Sequence, residues 1–229
     1  MTTIQSNLQR VHERIAAACA GAQRPVNEVT LLAVSKTFGP EAVREAFSAG
    51  QTAFGENYIQ EAVEKIALLR DLPLQWHCVG PIQSNKTRLV AANFDWAHTV
   101  DRLKIAQRLS EQRPEGMAPL QVCIQVNIDG GATKAGASPG ETLTLAQQIA
   151  ELPRITLRGL MTIPEPAADF AAQKAVHLRA KALFEELREA GLAVDTLSMG
   201  MTADLEAAIE AGATMVRVGT AIFGGRPTA

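Results

Sequence analysis

Short apolar runs alternate with amphipathic stretches along almost the whole 229-residue chain, and this alternation restricts the fold more than any other feature. Strand-like runs lie near 29–35 (VTLLAVS), 51–54, 75–79, 95–100, 120–128 (LQVCIQVNI), 155–161, 194–199 and 213–218. Helical stretches lie near 40–49, 57–70, 84–92, 101–112, 139–151, 168–190 and 203–211. In the longest of these, Val176, Ala180, Leu183, Phe184 and Leu187 share one face. Strands joined by helices imply parallel pairing through crossover connections. Eight such units are the number that closes a (β/α)8 barrel of the TIM type, and one domain spanning 1–229 is expected. An open doubly wound sheet is the competitor, but no GxGxxG follows the first strand.

The ends of the chain complete this expectation. A first helix spans about 3–20, with Ile4, Leu8, Val11 and Ile15 on one face and Gly21 and Pro25 as its stop. After the eighth strand only Thr220–Ala229 remain, too few for a full outer helix. The extra N-terminal helix is therefore expected to fill the gap in the outer ring.

Charge narrows the function classes. The net charge is −2 and the pI about 6.1, with no Lys/Arg run, so a nucleic-acid footprint is not expected. No apolar run is long enough to span a bilayer, and the first residues lack the basic start and apolar stretch of a secretory leader. Cys19, Cys78 and Cys123 are odd in number and far apart, which suits small buried hydrophobes in a reduced cytoplasm. No metal motif and no Ser/His/Asp nucleophile set is present, and nothing demands a dimer, so a monomer is expected.

Barrel sites form where strands end. Strand one ends in Ser35-Lys36-Thr37, strand two in Glu56-Asn57, strand seven in Ser198-Met199-Gly200-Met201-Thr202 and strand eight in Arg217-Val218-Gly219-Thr220. Lys36 follows LLAV, which puts its stem at the barrel mouth. A partly buried amine is more often neutral and able to attack a carbonyl. Gly200 and Thr202 lead into a helix starting near Ala203, and Gly219-Thr220 offers a second backbone-plus-hydroxyl cradle, the usual place for a phosphate. A carbonyl cofactor and a cofactor-free sugar-aldolase chemistry both fit these residues. His77 reads as a satisfied strand histidine and Lys134 as a solvated amine. Asp129 and Glu165 end strands without a carboxylate partner, and His12 and His177 sit on helices at no ligand spacing.

AVSKT, FGENY, WHCVGPIQSNK, RGLMTIP, SMGMTADLEAAI and VRVGTAIFG occur in that order between Val29 and Gly224. In these motifs the chain resembles the pyridoxal phosphate homeostasis protein family, whose fold is similar to the barrel domain of alanine racemase. The resemblance implies pyridoxal 5′-phosphate as cofactor, held as a Schiff base on Lys36. It implies Asn57 beside the ring and Ser198, Gly219 and Thr220 on the phosphate, helped by the backbone around Met201 and Thr202. Arg217 would face the pyridine nitrogen, where a cation disfavours the protonated, electron-withdrawing ring. The loop Asp129-Gly130-Gly131-Ala132-Thr133-Lys134-Ala135-Gly136 departs from the family's longer polar stretch but keeps its Lys-x-Gly core.

These features point to a carrier without catalytic residues rather than an enzyme. A racemase of this kind takes its second acid/base from an additional domain, and a missing base costs on the order of 10²–10⁴ in rate. The expected role is storage and delivery of the cofactor, with apo enzymes that use it as partners. A low-activity amino-acid racemase and the cofactor-free aldolase are the alternatives.

Overall fold

A computed structural model describes residues 3–225 and shows a closed eight-stranded parallel barrel. The strands are β1 (Thr30–Val34), β2 (Ala53–Glu56), β3 (Gln75–Cys78), β4 (Trp96–Val100), β5 (Leu120–Gln125), β6 (Ile155–Met161), β7 (Thr196–Ser198) and β8 (Met215–Val218). They neighbour one another in sequence order, and β8 closes onto β1 through Thr30–Met215 to Ala33–Val218. All eight expected strands form. The second is displaced toward its C-terminus, because Gln51 leaves the strand and uses its side-chain amide to bond the carbonyls of Leu31 and Ala53.

The helices among the described residues are α1 (Ile4–Gly21), α2 (Pro40–Ser48), α3 (Ile59–Leu68), α4 (Thr87–Asn93), α5 (Leu103–Gln112), α6 (Pro139–Ala150), α7 (Phe170–Glu189), α8 (Leu205–Glu210) and α9 (Thr220–Phe223). The last was not expected. It is a single short turn that follows β8 directly, and the rest of the expected tail, from residue 226, lies outside the described residues. Helix α1 packs against α2, α8 and α9 and closes the outer ring as expected. Its Leu8, Val11 and Ile15 are buried.

Strand residues alternate between two apolar environments. Leu31, Ala33, Phe54, Trp76, Val216 and Val218 face the helices in the main core. Leu32, Ala53, Val79 and Met215 pack together inside the barrel, as do Trp96, Cys123 and Met161. All three cysteines are buried and free, and burial pushes the thiols of Cys78 and Cys123 up to about 12. No described helix is long and apolar enough to cross a membrane.

Candidate functional site

The inward-facing residues end at a cavity of about 340 Å³ at the C-terminal mouth. Lys36, Asn57, Ile163, Thr202, Arg217 and Thr220 are among its lining residues. This is within the size range of small-ligand pockets. A larger cleft of about 570 Å³ lies at the other end of the barrel, beside Arg24, Lys181, Asp195 and Thr214. Its charges are already matched by Arg24–Glu28, Arg158–Asp195 and Lys181–Glu185 pairs, so we place the site at the mouth.

Arg217 forms the cavity's buried cation. Its Nη1 donates to Ser198 Oγ at 2.8 Å and its Nη2 to the Thr162 carbonyl at 2.8 Å. Burial lowers its pKa to about 10, which leaves it charged at neutral pH. Behind it runs a buried chain: Ser198 Oγ to His98 Nδ1 at 2.9 Å, His98 Nε2 to His77 Nδ1 at 2.9 Å, and His77 Nε2 to Gln75 Oε1 at 2.9 Å. The amide oxygen of Gln75 only accepts, and this orders every proton. His77 donates through Nε2, His98 donates to His77, and Ser198 donates to His98. The serine oxygen is then free to accept from Arg217. Both imidazoles are neutral in this order, in keeping with burial that pulls His77 down to about 3 and His98 well below its ordinary value.

Lys36 is half-buried, and no carboxylate among the described residues pairs with it. Its neighbours are held tightly. The outward position Glu56 at the end of β2 meets Lys65 of α3 at 2.6 Å, both buried. Glu56 Oε1 also accepts from Ser35 Oγ at 2.6 Å, and Lys65 donates to the Ser35 carbonyl at 3.0 Å. Burial pushes the Glu56 carboxyl up despite the opposing pull of Lys65. On the other side of Lys36, the Thr37 N–H donates to Glu61 Oε1 at 3.0 Å. Thr37 has φ 68°, a left-handed conformation that a β-branched residue rarely adopts.

The opposite wall comes from the loops after β7 and β8. Thr202 and Thr220 bring their hydroxyls to 3.5 Å, and α9 begins at Thr220 with Gly219 as its cap. The Ile222 and Phe223 N–H groups both donate to the Gly219 carbonyl at 2.9 Å, and among the described residues no backbone acceptor takes those of Thr220 and Ala221. Helix α1 fixes both loops: Arg14 donates to the Thr202 carbonyl at 2.9 Å and pairs with Glu206, while Asn7 donates to the Ile222 carbonyl at 2.8 Å. Asp204 accepts from the Met201 N–H at 2.7 Å and from His177 at 2.8 Å. Burial alone would raise its carboxyl, but the His177 and Met201 bonds hold it below the usual range.

The structure therefore gathers Lys36, Asn57, Met201, Thr202, Arg217, Gly219 and Thr220 on one cavity. Ser198 is placed differently: its hydroxyl is fully buried between His98 and Arg217 and is not on the cavity wall. Gly200 is not among the residues lining the cavity. Its φ of 91° and the 2.4 Å that would separate an added Cβ from Ala208 Cβ make it a packing glycine. Helix α8 starts at Leu205 rather than near Ala203, because Asp204 engages the Met201 N–H. His77 is satisfied as expected. Lys134 is not merely solvated but pairs with Asp129 at 3.0 Å and Glu165 at 3.1 Å, joining the loops after β5 and β6. Glu56 stands in the sequence only as a strand end, and the parts played by His98 and by the Lys65 partner of Glu56 were missed. Two histidines at like positions of consecutive strand runs were the available signal for His98. Nothing local marked Lys65.

Comparison with known proteins agrees with the barrel fold. A family model described as the alanine racemase N-terminal domain matches residues 4–227. The chain is 57% identical over 226 residues to the pyridoxal phosphate homeostasis protein of Pseudomonas aeruginosa, covering 99% of this chain and 97% of that one. Among solved structures, it is similar to an unknown protein from Bifidobacterium adolescentis, with TM-score 0.90 and 33% identity over 96% of this chain and 94% of that one. It is also similar to PipY of Synechococcus elongatus with PLP bound, with TM-score 0.81 and 38% identity over 93% of this chain and 100% of that one.

Proposed function

The chain belongs to the pyridoxal phosphate homeostasis protein family, and from that membership we propose that it binds pyridoxal 5′-phosphate at the barrel mouth through Lys36 and holds it for delivery rather than turning over a substrate. The observation that carries this reading is the placement of an unpaired amine, Lys36, in the same cavity as Arg217 and the start of α9. The cofactor supplies an aldehyde for a lysine amine, a ring nitrogen and a phosphate dianion.

The residues fit those three groups. Lys36 supplies the amine for the aldehyde. Arg217, held by Ser198 and Thr162, is assigned to the ring nitrogen. The Thr202 and Thr220 hydroxyls, with the backbone from Gly219 and around Met201, are assigned to the phosphate. The Met201 N–H itself is taken by Asp204, so the phosphate contacts fall to its neighbours. Asn57 Oδ1 is buried, and nothing among the described residues hydrogen-bonds it, a polar atom suited to a ligand. Ser198 acts behind Arg217 in this reading.

Holding rather than catalysis is supported by the same wall. Lys36 and Arg217 are the titratable side chains among the described lining residues. Arginine stays charged and exchanges protons poorly. A cation at the ring nitrogen would also disfavour its protonation and so weaken the ring as an electron sink. Proteins that use the same cofactor are the recipients this reading implies.

The test is an absorption titration of wild type and Lys36→Ala with pyridoxal phosphate. A visible band in wild type that is lost in the variant is expected; equal spectra would overturn the attachment. Incubating the loaded protein with L-alanine tests the rest. Steady racemisation that depends on Lys36 would replace the carrier with an enzyme.

A further inference from the structure

The segment that carries Lys36 is strained, and the strain is held by residues outside the cavity. Thr37 stands at φ 68°, a region in which a β-branched side chain crowds the backbone. Such a conformation persists only where surrounding contacts over-determine it, and it clusters at functional sites. Here the contacts are specific. Glu61 Oε1 accepts the Thr37 N–H at 3.0 Å, and Lys65 bridges Glu61 at 3.2 Å to Glu56 at 2.6 Å. Glu56 and Lys65 in turn grip the hydroxyl and carbonyl of Ser35. Both neighbours of Lys36 are thus tied to one charged cluster on the outer side of the sheet, while Lys36 lines the cavity.

We propose that Glu61, acting with the buried Lys65–Glu56 pair, is a positioning residue that holds the Ser35–Lys36–Thr37 turn in its left-handed form and so directs Lys36 into the cavity. Among the described residues, the Glu61 carboxylate is the acceptor of the Thr37 N–H, which has no backbone acceptor. A backbone bond from the Phe38 N–H to the Ser35 carbonyl at 3.1 Å also closes the turn, but it leaves the Thr37 peptide itself unheld, so removing Glu61 should let Thr37 move toward negative φ and shift the Lys36 peptide. A glycine at 37 accepts φ 68° without crowding, so it should make the turn far less dependent on Glu61. The role rests on the cofactor reading only for its purpose; the turn geometry stands without it.

Glu61 is partly exposed, so its replacement leaves the core intact, whereas Glu56 and Lys65 are buried and their single variants threaten folding. The test therefore compares Glu61→Ala, Glu61→Gln, Thr37→Gly and the Thr37→Gly/Glu61→Ala double variant. Two readouts are taken on the full chain. One is the dissociation constant for pyridoxal phosphate from its absorption change. The other uses cofactor-free protein: the rate of Lys36 acetylation by acetic anhydride, read peptide by peptide by mass spectrometry.

Loss of a charged acceptor should weaken cofactor binding by about tenfold in Glu61→Ala and speed Lys36 acetylation severalfold. Glu61→Gln keeps an acceptor oxygen and should stay near wild type. In the Thr37→Gly background, removing Glu61 should change both quantities by less than about threefold, because coupled residues are non-additive. Equal effects of Glu61→Ala in both backgrounds, or an unchanged acetylation rate, would overturn the proposal. If wild type and Lys36→Ala bind the cofactor alike, the functional reading fails, and the acetylation rates still decide the positioning role.

Discussion

Replacing Ser198 with alanine separates its two possible roles, ligand contact and support for Arg217. In the structure its hydroxyl accepts from Arg217 Nη1 and donates to His98 Nδ1, both fully buried. Alanine leaves a buried guanidinium short of one acceptor, a loss of about 1.5–3 kcal/mol for a bond to a charged group. It also leaves the His98 Nδ1 lone pair unsatisfied, about 1–3 kcal/mol more. Removing the hydroxyl returns about 1 kcal/mol of its own burial cost, so the net destabilisation should be about 3 kcal/mol. For a chain of this size, that is a fall of about 6–12 °C in melting temperature. Urea denaturation with and without pyridoxal phosphate is the assay. A variant within about 1 kcal/mol of wild type that has nonetheless lost most of its cofactor affinity would show that Ser198 touches the ligand and that the Arg217–Ser198–His98 chain carries little.

The two barrel histidines predict acid sensitivity. Burial depresses both pKa values in the folded state, so their contribution to stability is complete above the unfolded value near 6.5 and is lost as the pH falls toward the folded value, about 3 for His77. Stability should drop by up to about 1.4 kcal/mol per pH unit for each histidine below about pH 6.5; urea midpoints that stay flat between about pH 7.5 and 5.5 would exclude neutral imidazoles. Gly200→Ala should destabilise by about 2–4 kcal/mol, because the new Cβ meets Ala208 at 2.4 Å and the backbone stands at φ 91°; a melting temperature equal to wild type would mean the loop shifts freely. Arg14→Ala should cost only about 1 kcal/mol, since the side chain is 35% exposed, yet speed amide exchange in the loop around Thr202 whose carbonyl it holds. Unchanged exchange there would remove α1 from the support of the site.

The strand count, the order of elements and the site of Lys36 at a strand end were all legible because strand and helix periods differ and because barrel mouths lie at strand C-termini. Boundaries were less legible. Gln51 reads as part of the second strand, but its amide satisfies two neighbouring carbonyls and the strand starts at Ala53. Helix α8 starts late for a similar reason, a side chain at Asp204 taking a backbone N–H.

By itself, the sequence determined that this chain is an α/β barrel with an added first helix, and that Lys36, Asn57, Arg217, Gly219 and Thr220 stand where strands end. It also determined the family, through long ordered motifs. Only the tertiary structure decided which way the paired polar groups point. Barrel strands are buried on both faces, so hydrophobicity carries no clean inward–outward alternation, and their few polar residues, such as His77 and Ser198, do not show in the sequence which face they take. Ser198 could face the cavity or the core until β7 was registered against β8, and Glu56 could be a site residue until α3 brought Lys65 against it. The His77–His98–Ser198–Arg217 chain joins four strands whose residues lie 19 to 100 positions apart, and barrel closure alone brings them within hydrogen-bonding distance.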